Sequence, residues 1–228
     1  MTLVAPQPVA SPAALPPRAP QGERRVLLRG VSWTTYQQLL RDIGDHRGVR
    51  LAFDSGSLEI MSPGTLHENV KTITACVVEM YAFLSGASVE GYGSWTLDRE
   101  DLQKGVEPDE CYYVSTAARI VGKQKLTLGV DPPPDLAIEV DISRPELRRE
   151  SIYEALGVPE LWRYDGERFV VFRRNAAGAY EQLAGSLELP GLLMEELNRI
   201  VHVGLKSGQT AAVAALVEWF NTRHPRRP

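Results

Sequence analysis

Glu139 and Asp141 stand two residues apart in "PPPDLAIEVDIS", residues 132 to 143. Successive side chains of a β-strand point to opposite faces, so Leu136, Ile138, Val140 and Ile142 share one face and Asp135, Ala137, Glu139 and Asp141 the other. The first is a core face and the second is nearly all acid. Carboxylates spaced about 7 Å along one strand repel each other and acquire raised pKa values unless a cation lies beside them. Two readings fit such a face. It is a solvated face at a sheet edge, or it is a site for a hard cation. Mg2+ and Mn2+ take oxygen ligands from one or two carboxylates and keep water for phosphate groups.

Other charged residues belong in the same account. Asp109 follows Pro108 in "GVEPDECYYV", where the fixed φ of proline presents it at the start of a strand; capping a turn is the plainer role. Glu68 sits in "TLHE" with the Thr65-to-Glu68 spacing of a capping box. The neighbouring "HENVK" departs from the zinc-protease pattern HExxH, because Lys71 stands where the second His is required. Arg148 and Arg149 flank the stripe Ile152, Ala155 and Leu156 on a helix expected over 145–156. Whether they neutralise the acids or face a phosphate, an arginine is expected at the acidic strand.

The elements that would position these groups follow from periodicity. "VSWTTYQQLLRDIGDHRG" has helical spacing, and "VRLAFDSGSLEIMSP" reads as a hairpin around Asp54, Ser55 and Gly56. "GTLHENVKTITACVVEMYAFLSG" is the clearest helix, with Val70, Ile73, Val77, Met80, Tyr81 and Leu84 on one face and Gly86 as its stop. Strand-like segments follow at "VEGYGSWTL", "GVEPDECYYV" and "KQKLTLG", and then the acidic strand. Beyond the helix ending at Gly157 come a hairpin around Asp165 and Gly166, a strand in "GAYEQLA", and two helices in "MEELNRIVHVG" and "TAAVAALVEWFNTRH". The order predicts a mixed α/β domain around a central sheet. Trp219 and Phe220 on the last helix are expected as core residues or as contacts of a homodimer.

Composition narrows the class. A chain of 228 residues without internal repeats is expected to form one domain over 25–222, between a Pro/Ala-rich extension (1–24) and a basic tail (223–228). The extension lacks the charged start and apolar run of a signal peptide, and nothing approaches the roughly 18 apolar residues of a membrane span. Cys76 and Cys111 have no zinc-like spacing and read as reduced thiols of a cytoplasmic protein. A formal net charge of −4 disfavours nucleic-acid binding unless basic residues gather locally.

A helix acid, a "PD" at a strand start and "ExD" on the next strand, followed by a cationic helix, resemble the ordering of the PD-(D/E)xK nuclease superfamily. The runs "LEIMSPGTLHE", "LDREDLQKGVEPDECYYV", "PPDLAIEVDIS" and "IYEALGVPELWRYDG" closely resemble the Uma-type restriction endonuclease family, abundant in bacteria, over about residues 25 to 205. The resemblance implies a restriction-endonuclease-like mixed sheet flanked by helices. It also implies hydrolysis of nucleic acid, DNA being the expected form, with Mg2+ or Mn2+ as cofactor. Asp109 and Glu139 would be metal ligands, with the Val140 carbonyl as a further one and Asp135 as a competitor to Asp109; Glu68 would be the helix acid. The chain departs from the superfamily at the lysine. Asp141 stands two after Glu139, and Arg149, four before Tyr153, stands where many relatives place a displaced lysine. Arginine stabilises phosphorane charge but does not readily act as a base. The rival reading is a catalytically silent nuclease-fold protein that binds DNA or a protein partner.

Overall fold

The computed structural model describes residues 22–44 and 48–224. Strand β1 (Arg24–Arg29) precedes helix α1 (Trp33–Ile43), whose N-cap Ser32 accepts a hydrogen bond from Thr35 N. Strands β2 (Arg50–Asp54) and β3 (Ser57–Ser62) form the expected hairpin; Ser55 and Gly56 both take positive φ, 47° and 90°, as a two-residue turn requires. Helix α2 (Thr65–Ser85) ends at Gly86 in the left-handed conformation. Four short strands follow: β4 (Glu90–Gly91), β5 (Leu97–Arg99), β6 (Lys104–Val106) and β7 (Glu110–Tyr113). The acidic strand is β8 (Leu136–Val140), joined through α3 (Arg149–Leu156) to β9 (Glu160–Tyr164). The chain closes with β10 (Phe169–Arg174), β11 (Tyr180–Leu183), α4 (Met194–Ser207) and α5 (Gln209–Arg223).

These strands make two sheets. One has the order β1-β3-β2-β6-β5 and the other β11-β10-β9-β8-β7-β4. The second is mixed: β8 and β9 are parallel, as a strand–helix–strand crossover requires, and its other neighbours pair antiparallel. Helix α1 packs on the outer face of the first sheet through Tyr36, Leu51, Phe53 and Leu58. Helices α2, α4 and α5 cover the outer face of the second through a core that includes Ile138, Val140 and Trp162. Helix α3 lies between the sheets, where Ala52 and Val106 of one and Ala137 and Leu161 of the other meet Ile152 and Tyr153. Trp219 and Phe220 pack against this outer core, with ring centroids 6.2 and 5.7 Å from that of Tyr81.

The α/β class and the mixed sheet flanked by helices are as expected, but several elements differ. "GVEPDECYYV" forms two strands in different sheets, because Pro108 has no N–H to continue a ladder; Glu107, Pro108 and Asp109 carry the chain across. "VEGYGSWTL" is likewise divided between β4 and β5, and "KQKLTLG" contributes only an isolated bridge from Leu128 to Asp131. The predicted helix 145–156 starts at Arg149. The segment before it is a loop in which Glu59 Oε2 accepts from Glu146 N and Leu147 N, at 2.6 and 3.2 Å. Helix α2 takes Gly64 as its N-cap, one residue before the Thr65 that the capping box would place there. Of the predicted extension, Arg24 begins β1 and the Glu23 side chain is 1% exposed. Residues 1–21 and 225–228 of the extension and tail lie outside the described residues. Among the described residues, no helix is long and apolar enough to cross a membrane, and Cys76 and Cys111 are both free thiols.

Candidate active site

The acid face of β8 turns toward the layer occupied by α3 and is buried, which removes the solvated-edge reading. Glu139 and Asp141 are 1% and 3% exposed. Glu139 Oε1 accepts from the Tyr153 hydroxyl at 2.5 Å, and Oε2 pairs with Arg149 Nη1. Arg149 reaches with Nη2 to Glu59 Oε1 at 2.8 Å, joining β8 to β3 of the other sheet. Arg25 from β1 donates to Glu59 and Asp141, each at 2.7 Å. Arg163 from β9 donates to Asp141 at 2.9 Å and to Glu150 at 2.6 Å. Burial pushes the Glu139 carboxyl up to about 7; Arg149 opposes the shift, while Asp109 and Asp141 add to it.

Asp109 enters this cluster from the crossing between sheets. Its Oδ2 accepts from Val140 N at 2.8 Å and its Oδ1 from His67 Nε2 at 2.9 Å. The other ring nitrogen of His67 meets Glu23 Oε1 at 2.9 Å. An imidazole between two carboxylates donates from both nitrogens as the imidazolium. Burial opposes that charge, but the hydrogen bonds and charges of Asp109 and Glu23 prevail and raise the His67 pKa to about 9. Reciprocally, burial would raise the Asp109 pKa, and His67 more than offsets it. Glu23 is lowered to about 2 against its own burial, by His67, Ser143 and Arg25.

Linkage gives these shifts a sign. His67 holds its proton more tightly when folded, so its stabilising contribution is complete below about pH 6.5 and is lost as pH rises through about 9. Glu23 behaves oppositely, contributing above about pH 4.5 and losing that contribution as pH falls through about 2. Thermal unfolding of the metal-free protein is expected to show Tm falling between about pH 6.5 and 9, with the fall much reduced in His67→Asn. An equal fall in both proteins would remove the doubly bonded imidazolium from this account.

The sequence-derived candidates separate clearly. Asp109, Glu139 and Arg149 converge, and Val140 is bonded to Asp109. Asp135 lies four residues before Glu139, about 13 Å along an extended chain. Its Oδ2 accepts from Val114 N, Thr116 N and Thr116 Oγ1 at 2.8, 2.8 and 2.9 Å, fastening the loop after β7. The Glu68 side chain is 46% exposed and faces Lys71 at 3.7 Å; its neighbour His67 is the α2 residue in the cluster. Glu23, Arg25, Glu59, His67 and Arg163 went unread in the sequence. His67 continues the buried stripe Val70, Thr74, Val77 and Tyr81 at helical spacing, and Glu59 sits among Leu58, Ile60 and Met61, so both carried a signal as polar residues in apolar runs.

The donor set limits what cation could be held. Among the described residues, no three His, Cys, Asp or Glu side chains converge as metal ligands, which leaves no all-protein cage for Zn2+ or Ca2+ there. Two carboxylates and a carbonyl suit Mg2+, which binds through one or two carboxylates and retains water. The N–H and C=O of one strand residue point to the same side, so the Val140 carbonyl lies on the strand edge that its N–H shares with Asp109. Asp109 and Glu139 each accept two of the hydrogen bonds described, against about four lone-pair sites per carboxylate. Mg2+ therefore fits, in competition with Arg149 for Glu139.

The model of the Uma2 family, described as "Putative restriction endonuclease", matches residues 33–205, more than half of the chain. The protein belongs to the Uma2 family. A solved structure described as a "putative nuclease belonging to DUF820 from Anabaena variabilis ATCC 29413" is similar at 14% identity, with a TM-score of 0.44, over 66% of this chain and 90% of that one. No curated protein matches. The Uma2 match spans Glu59, His67, Asp109, Glu139, Asp141, Arg149 and Arg163, and begins after Glu23 and Arg25.

Proposed function

We propose that this Uma2 protein is an endonuclease that hydrolyses phosphodiester bonds of nucleic acid, DNA being the expected substrate, with Mg2+ held by Asp109, Glu139 and the Val140 carbonyl. The observation that supports this most is the meeting of Asp109, from the crossing between β6 and β7, and Glu139, from β8, beside Val140, in a chain of a family described in those terms. Bound Mg2+ would lower the pKa of a coordinated water and offset charge on the phosphate oxygens. The chain's own residues have distinct tasks around it. His67, backed by Glu23, fixes the orientation of Asp109. Tyr153 does the same for Glu139. Arg149 supplies a permanent positive charge for the developing phosphorane, and its high pKa prevents it from serving as the base.

A second reading has its own support. Arg149 already pairs with Glu139 and Glu59, and Arg25 and Arg163 with Asp141, so the acids are neutralised without metal, as in a silent nuclease-fold protein that binds nucleic acid or a partner. Calorimetric titration of Mn2+ separates the two. Saturable binding is expected in the wild type, strengthening as Glu139 ionises through about pH 7, and absent in Asp109→Ala and Glu139→Ala. No heat of binding in the wild type would transfer the assignment to the silent protein.

A further inference from the structure

The loop between β8 and α3 forms one wall of a cleft of about 400 Å3, with Arg144 and Arg148 from the loop and Arg163 from β9 in its lining. Arg144 and Arg148 are exposed, and neither guanidinium has a hydrogen-bond or ion-pair partner among the described residues. Arg163 is held in place by Asp141 and Glu150, so it neutralises Glu150, which shares the lining. Glu146 is the remaining acid against two free guanidinium groups, and the cleft has a positive excess.

The loop backbone is fastened from beneath. Glu23 Oε2 accepts from Ser143 N at 2.7 Å, and Glu59 Oε2 accepts from Glu146 N at 2.6 Å and Leu147 N at 3.2 Å. Pro145 removes one further backbone freedom. Two buried carboxylates that belong to the acid cluster thus hold the loop that presents the arginines. Such a loop loses little further freedom when it binds. An unpartnered Arg on a fixed backbone is suited to phosphate, which it grips through two parallel N–H bonds. In a chain of net charge −4, a local excess of this kind is what backbone recognition requires.

We infer that Arg144 and Arg148 bind backbone phosphates of a nucleic acid laid across this cleft, next to the buried acids. The inference takes its substrate class from the proposed function but needs neither metal nor hydrolysis. Fluorescence anisotropy with labelled duplex DNA, single-stranded DNA and RNA, in EDTA and across a range of NaCl, tests it on the full chain. Wild-type affinity for at least one of these should fall linearly with salt on logarithmic axes. Arg144→Ala/Arg148→Ala should weaken binding by about tenfold or more near 0.1 M salt and reduce the slope by about 2, roughly one per lost phosphate contact. Arg199→Ala, on the exposed side of α4, should bind as wild type. Equal affinity and slope in the double variant, an equal loss in Arg199→Ala, binding of inorganic phosphate alone, or no wild-type binding to any of the three would overturn the assignment. A salt-sensitive loss in the double variant beside a wild type that takes up no Mn2+ would uphold the cleft while the nuclease reading fails.

Discussion

Arg149→Ala is expected to destabilise the protein by about 3–5 kcal/mol, the cost typical of removing one partner from a buried ion pair. The guanidinium is 5% exposed and bridges Glu139 on β8 and Glu59 on β3, themselves 1% and 0% exposed. Its loss leaves two carboxylates facing each other across the layer between the sheets. Part of the cost is expected to be relieved by proton uptake, because the Glu139 carboxyl is already raised to about 7 with Arg149 in place. The destabilisation should therefore be larger at pH 8 than at pH 5. Chemical denaturation at the two pH values checks this. Adding Glu139→Gln to Arg149→Met removes a charge from each side and should recover much of the loss. Failure of that recovery, or a loss under 1 kcal/mol, would show that the bridge does not hold the sheets together. Arg149→Lys should fall between, since one ammonium does not reproduce a planar group that spans two acids.

Glu139→Gln should lower phosphodiester hydrolysis by about 100- to 1,000-fold while the fold persists. The Lewis-acid contribution of a bound cation is several kcal/mol, and about 1.4 kcal/mol corresponds to a factor of ten. The amide keeps the carbonyl that accepts from Tyr153 and removes a carboxylate whose ionisation the site resists. Folded Glu139 releases its proton near 7 and the unfolded group near 4.5. The penalty is thus absent below about 4.5 and complete above about 7. At pH 8 the variant should have a Tm within a few degrees of wild type and no measurable Mn2+ heat. Full activity in the variant would remove Glu139 from the chemistry, whereas unfolding would show that its pair with Arg149 outweighs the cost of its ionisation.

Much of the acid cluster was legible as local pattern. Alternation along residues 135–142 separates Leu136, Ile138 and Val140 from Glu139 and Asp141, because strand side chains alternate whatever covers them. Pro108 marks Asp109 as a strand entry, and Gly157 marks the end of α3, because φ preferences act within a residue or two. The motif order pointed to the Uma2 family for the same reason: motifs are sequential.

What covers the acid face is not a local property. Two neighbouring carboxylates read equally as a solvated edge or a buried site until α3 and the second sheet close over them. Choosing His67 over Glu68 takes a one-residue difference in helix phase, and only packing against Asp109 and Glu23 settles it. The loop before α3 is tied to Glu59, some ninety residues earlier in the chain, which accepts from the amides of Glu146 and Leu147. The sequence alone determined which residue types could do chemistry and in what order along the chain. The tertiary structure decided which of them are buried together and which cations neutralise them, because burial and ion pairing depend on distances through space that local patterns do not encode.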